Sequence, residues 1–170
     1  MTFAPRGFSG SFRSTGYARS CQAFFPHFAQ NSLLFKPQLR LFGRAFADSP
    51  DADHPGQINL KDAMMPIVNF ARLYALRHGL GETNTLDRLN TLVEKGELRE
   101  SNRDEIVIAY DVLMRLRLRQ QITAHQAGQT PDNFINHRRL GHIEETLLKQ
   151  SFVQIDAVQK KISYDFLGGT

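Results

Sequence analysis

The sequence predicts an all-α protein, an antiparallel bundle of about five helices carrying a flexible N-terminal arm. Three observations point there. Apolar residues recur at helical spacing from residue 59 to residue 166, Gly or Pro punctuates them at intervals of a helix length, and nowhere does an alternating strand pattern appear. The 170 residues suffice for one compact domain, and a hydrophobic fraction of 41% with 22% charged residues is that of a globular chain. No apolar run reaches the eighteen or so residues that crossing a membrane requires.

Residues 1 to 20 are Gly/Ser-rich, with Arg and Phe interleaved and no helical period. They read as a disordered lead-in, with a mitochondrial targeting segment or an aromatic/Arg RNA-binding tail as the alternatives of the same composition. From residue 21 to residue 58 the chain becomes Phe-rich: nine of the thirteen Phe precede residue 47, and Phe24, Phe25, Phe28, Leu33 and Leu34 belong to a first helix over residues 21 to 34. So many large apolar groups must dock on something, and where a partner domain that would cover part of this surface is absent, self-association through this arm or poor solubility is expected. Residues 48 to 57 form a loop rich in Asp, Pro and Gly.

The bundle occupies residues 59 to 166. Its first helix, residues 59 to 78, is capped by Asn59 or Asp62; Pro66 falls near its first turn if it begins at Ala63, and Gly79 and Gly81 end it. Ile67, Phe70, Ala71 and Tyr74 recur at core spacing, while Arg77 and His78 close the last turn, where positive charge opposes the helix dipole. Thr83, Asn84 and Thr85 open a short helix over residues 86 to 95, stopped by Gly96. The longest pattern runs from residue 101 to residue 128, with Ser101 three residues before Asp104 as a capping-box-like start and Gly128 at its exit. Its apolar side carries Ile106, Ala109, Tyr110, Leu113, Leu116 and Gln120, with Arg117 near the middle; Arg115 and Arg119 lie opposite with Asp104 and Asp111 as a solvated face. A turn-rich connection follows, and Gly141 leads into a last helix, residues 142 to 166, whose stripe is Ile143, Leu147, Phe152, Ile155, Val158, Ile162 and Phe166.

Charge and motif content narrow the function. The net charge of +4 hides an asymmetry: residues 1 to 47 hold six basic and no acidic residues, leaving 15 basic against 17 acidic in the remainder. The bundle is not a basic surface, which argues against nucleic acid as its partner. The single cysteine, Cys21, forms no internal disulfide, so a reducing compartment is expected: the cytoplasm, with the mitochondrion as the alternative. Asp51 and Asp53 imitate the paired carboxylates that hold Mg²⁺ in nucleotidyl transfer, but no strand precedes them and the only Gly-Ser, Gly10-Ser11, lies forty residues earlier. His54 beside them is no selective metal ligand either. No catalytic and no metal residue is assigned.

The text Leu60 to Leu76 (LKDAMMPIVNFARLYAL), Arg77-His78-Gly79, TNTLDRL at residues 83 to 89, LMRLRLRQQ at residues 113 to 121 and Pro131-Asp132-Asn133 carries a family resemblance. It resembles the helical C-terminal domain that follows a nucleotidyltransferase domain in bacterial signalling proteins, often together with CBS and cyclic-nucleotide-binding domains. The catalytic half of that family is similar to the uridylyltransferase that modifies the nitrogen-regulatory PII protein, and the helical half is regarded as its substrate-binding part. The resemblance therefore implies that a catalytic domain, which this chain lacks, works with it in cis or in trans, that Mg²⁺ and the nucleoside triphosphate belong to that domain, and that the substrate is a protein or a nucleotide. It directs the substrate-binding reading to Arg77, Asn84, Thr85, Arg88, Arg117 and Gln121. Spacing alone leaves two roles open for Arg117: a structural ion pair with Glu105, Asp87 or Asp156, or a cleft shared with Arg77, Arg88 and Asn84 that receives phosphate or carboxylate. Two further readings of the whole chain are a stand-alone interaction module with a Phe-rich docking arm and an imported mitochondrial helical protein.

Overall fold

A computed structural model describes residues 17 to 34 and 54 to 168, with side chains of the first helix from residue 23 onward. Five helices make up the bundle: α1 (Tyr17–Leu34), α2 (Leu60–Arg77), α3 (Thr85–Glu94), α4 (Glu100–Gln126) and α5 (His142–Leu167). Between them, β1 (Ile58–Asn59) and β2 (Phe134–Ile135) form one short antiparallel pair, Ile58 opposite Ile135 and Asn59 opposite Phe134. A single 3-10 turn, His137–Arg139, leads to α5.

Helix α1 starts one turn earlier than the sequence predicts, because after Gly16 nothing breaks a helix before residue 26. Its described side chains answer the docking question. Ala29 and Ser32 are fully buried, and Phe25, Phe28 and Leu33 pack on the bundle core, Phe25 stacking on Phe166 with ring centroids 6.1 Å apart. Phe24 remains half-exposed. Phe35, Phe42, Phe46 and residues 1 to 16 lie outside the described residues.

Asn59 caps α2, its Oδ1 accepting from the backbone N–H of Lys61 at 3.1 Å and of Asp62 at 3.3 Å. With the start fixed there, Pro66 stands in the second turn instead of the first and denies the Asp62 carbonyl its partner; Asp62 is exposed, so water can serve it. Pro66 itself is buried. At the other end Gly79 adopts φ +63°, which lets the Leu80 N–H reach back to the Ala75 carbonyl at 2.9 Å. Gly128 ends α4 by the same device, with φ +69° and a 2.9 Å bond from Gln129 N to Ala124 O. The predicted start of α4 is corrected: Arg99 occupies the cap without a side-chain bond, and Ser101 lies inside the helix.

The core is a continuous apolar cluster to which every helix contributes, with Phe70, Ile67 and Leu73 of α2, Leu89 and Leu92 of α3, Leu113 of α4 and Phe152, Ile155 and Ile162 of α5 fully buried. Burying side chains of this size is worth roughly 1.5 to 3 kcal/mol each. The stripe of α5 differs from expectation at its start: Leu148 is buried, whereas Ile143 is 74% and Leu147 36% exposed. Burial along α5 begins only at Leu148, one turn into the helix, while its first turn meets α4 through the polar Arg119–Glu144 pair.

Contacts at the two ends fix the helix directions. Leu60 at the start of α2 donates to the carbonyl of Asn133, which receives α4 near its end, and Arg119 of α4 pairs with Glu144 at the start of α5. Tyr74 near the end of α2 meets Asp165 near the end of α5. So α2 and α5 point the same way, α4 runs against both, and the bundle has one end where α2 and α5 begin and another where they finish.

Candidate functional site

Two of the motifs that carry the family resemblance, TNTLDRL and LRLRQQ, are built into the fold in different ways. In TNTLDRL, Asn84 is the N-cap of α3 and its Oδ1 accepts from Leu86 N at 2.8 Å, Thr85 is the first helical residue, and Arg88 donates through Nε to the Glu82 carbonyl at 2.8 Å. The motif thus ties the α2–α3 connection to the helix it precedes. One oxygen of the Glu82 carboxylate is buried beside it without a hydrogen-bond partner.

In LRLRQQ, two side chains converge on one acceptor: Arg117 Nε and Gln121 Nε2 donate to Asn133 Oδ1 at 2.7 and 3.2 Å. The carbonyl of the same Asn133 accepts from Leu60 N at 2.9 Å, so this residue clamps α4, β2 and the start of α2 together. Of the two roles that spacing left open for Arg117, the ion pair with Glu105, Asp87 or Asp156 is not formed among the described residues. Arg117 is half-buried at the edge of the buried line Ile106, Ala109, Leu113, Leu116 and Ala124, and its partner is a neutral carboxamide. Asp156 is paired with Lys160 at 2.7 Å. A half-buried guanidinium needs no counterion when water reaches part of it.

Against this clamp lies a polar cleft of about 240 Å³ between the second half of α4 and the connection that follows it. Its floor is Leu116, Phe134, Ile135 and Leu140, and its polar groups are Gln57, Arg119, Gln120, Thr123, Asn136 and Arg139. Two guanidiniums, three carboxamides and a hydroxyl face it, and no Asp or Glu lines it. Arg119 is exposed, as expected of a solvated face with Arg115, and is also held by both oxygens of Glu144. Arg115 does pair with Asp111, at 2.8 Å. Glu144 also accepts from Gly141 N at 3.4 Å, which completes the start of α5; the Arg119 hydrogen bond, opposed by slight burial, keeps its carboxyl below the ordinary range. Arg139 has no ion pair among the described residues. His54 stacks on Phe134 with ring centroids 3.7 Å apart and steadies the wall from behind. Such a cleft can hold an anionic or amide-bearing group through bidentate and neutral hydrogen bonds.

Of the residues the sequence singles out, Arg117 and Gln121 brace this cleft without lining it, and Asn84, Thr85 and Arg88 line neither it nor the cleft at the opposite end. Arg77 is at that opposite end, its guanidinium 5.0 Å from the Phe166 ring centroid. At 1.5 Å per residue it stands about 25 Å along α2 from Leu60, beyond the reach of any group that also touches Arg117. The six residues therefore do not form one site. Arg119, Gln120, Asn136 and Arg139 went unassigned from sequence; Arg119 projects about 200° around the helix from Arg117, and only a folded-back connection shows which of the two looks into a cleft. Asp51 and Asp53 lie outside the described residues.

A helical bundle with a preformed polar cleft beside a clamped loop has the architecture of a ligand-binding domain. The family described as putative nucleotidyltransferase substrate binding domain matches residues 22–166, and the chain belongs to it. No curated protein and no solved structure matches the chain. Among the described residues, no helix is long and apolar enough to cross a membrane, and no group of three or more His, Cys, Asp or Glu could hold a metal ion.

Proposed function

We propose that the domain holds the acceptor substrate of a nucleotidyltransferase of the PII-uridylyltransferase type, in cis or in trans with the catalytic half, and that the cleft between α4 and the β2 connection receives an acidic group of that acceptor. The observation that carries this reading is the composition of the cleft: it is walled by the family-bearing LRLRQQ segment and presents Arg119 and Arg139 with no carboxylate among its lining residues. Arg119 is fixed in place by Glu144, so ligand recognition falls to its remaining N–H edge and to Arg139, with Gln57, Gln120 and Asn136 reading hydrogen bonds. Magnesium and the nucleoside triphosphate belong to the catalytic half, which would act on the group presented here.

The side-chain amides give the test its readout. In a ¹⁵N spectrum of the chain titrated with a PII protein, and separately with inorganic pyrophosphate, the carboxamide signals of Gln57, Gln120 and Asn136 should move together, and Arg139→Ala should weaken both interactions by about tenfold. Shifts that avoid these three side chains, or binding indifferent to Arg139, would refute the reading.

A further inference from the structure

The opposite end of the bundle carries a second cleft, where the last turns of α2 and α5 and the α3–α4 connection meet around about 520 Å³. Its chemistry differs from that of the first. Tyr74, only 4% exposed, donates its phenol hydrogen to Asp165 Oδ2, and Lys161 donates to the same oxygen at 2.9 Å. His78 Nδ1 stands 3.3 Å from Glu97 Oε1. Arg77 has no carboxylate partner among the described residues and is steadied over the Phe166 ring.

The uncommitted atoms define a ligand. Arg77 offers its N–H edge, while Asp165 Oδ1 and the second Glu97 oxygen remain as acceptors. Two cations, Arg77 and Lys161, face two carboxylates, Asp165 and Glu97, so these four charges of the lining cancel. A simple anion entering this cleft is attracted by Arg77 and Lys161 and repelled by Glu97 and Asp165, and a simple cation meets the converse. A molecule that carries both charges satisfies both sets of groups. Arg77, Glu97, Lys161 and Asp165 line one cleft of about 520 Å³, which places the cationic and anionic halves of the lining within one small ligand's span.

We propose that this cleft binds a small zwitterion of the amino-acid class, its carboxylate on Arg77 and its ammonium on Glu97 and Asp165. The site is separate from the acceptor cleft and does not depend on the reading given to it. Tyr74 is a positioning residue here: it holds Asp165 Oδ2 and leaves the other oxygen as the acceptor for the ligand.

The test uses the full chain in thermal melts and calorimetric titrations against the common L-amino acids, glycine, β-alanine and γ-aminobutyrate, with sodium acetate and methylammonium chloride as single-charge probes. At least one zwitterion should raise the melting temperature at about 10 mM where neither single-charge probe does. Arg77→Met and Glu97→Gln, both at exposed positions, should leave the chain folded with a cooperative melt and each weaken that binding by about tenfold or more, while Arg139→Ala in the other cleft leaves the zwitterion affinity unchanged. The proposal is overturned if no zwitterion binds, if acetate or methylammonium matches the zwitterion, or if both variants retain full affinity.

Discussion

Replacing Asn133 by Ala tests the clamp on which the acceptor cleft rests. The substitution removes the Oδ1 that accepts from Arg117 at 2.7 Å and from Gln121 at 3.2 Å, and leaves the main-chain bond from Leu60 in place. A hydrogen bond from a charged donor contributes about 1.5 to 3 kcal/mol and a neutral one about 0.5 to 1.5. Because Arg117 and Gln121 are half-exposed, water replaces part of what is lost, and the net destabilisation should be about 2 kcal/mol. For a chain of this size that lowers the melting temperature by roughly 4 to 8 °C in a circular-dichroism melt. Arg117→Met should overlap with it: the double variant should fall short of the sum of the singles by about 1 kcal/mol or more, since both remove the same Arg117–Asn133 bond. Asn133→Asp retains the acceptor and adds a charge opposite Arg117, so it should melt no lower than the parent at neutral pH. A shift below about 1 °C for Asn133→Ala, or strict additivity with Arg117→Met, would refute the clamp.

Other expectations follow from the core, the ends and the arm. Phe152→Ala, at a site 1% exposed, should cost about 3 to 5 kcal/mol and lower the melting temperature by more than about 6 °C; a change within about 2 °C would contradict its place in the core. At Asp165, burial works to raise the carboxyl, but the hydrogen bonds from Tyr74 and Lys161 and the charges of Lys161 and Arg77 outweigh it and hold the group below its ordinary value. A depressed carboxyl contributes stability that is present above its unfolded value, near 3.9, and is lost as pH falls through the folded one. Tyr74→Phe should therefore flatten the acid limb of the melting-temperature profile, and an unchanged limb would show that Tyr74 does not hold Asp165; burial, with Asp165 second, raises the Tyr74 phenol above its ordinary range, so Tyr74 adds no titration near neutrality. Deleting residues 1 to 47 should cause aggregation or a large fall in melting temperature by uncovering the surface under Phe25, Phe28 and Ala29, whereas deleting residues 1 to 20 should change little; equal behaviour of the two would contradict the docking of α1.

The number, order and approximate bounds of the helices followed from the sequence because they depend on local chemistry. Apolar periodicity, a capping Asn59 and the glycines at residues 79, 96 and 128 act within one or two turns of chain, where spacing is geometry. Local signals compete at two helix starts: Ser101 has the chemistry of a cap, but the α4 hydrogen-bond ladder begins at Arg99, and Pro66 suits a first turn, but Asn59 starts α2 before it. The charges are another matter. Whether Arg117 meets a carboxylate, a carboxamide or a ligand depends on Asn133, sixteen residues away across a turn, and whether Arg119 faces water or a cleft depends on where residues 134 to 140 fold back. A helical period gives a side chain its direction from its own axis but not what stands in that direction. That is why the family's motifs were visible in the sequence, while the tertiary structure alone placed Arg77 a helix length from Arg117 and brought Arg119 to Arg139.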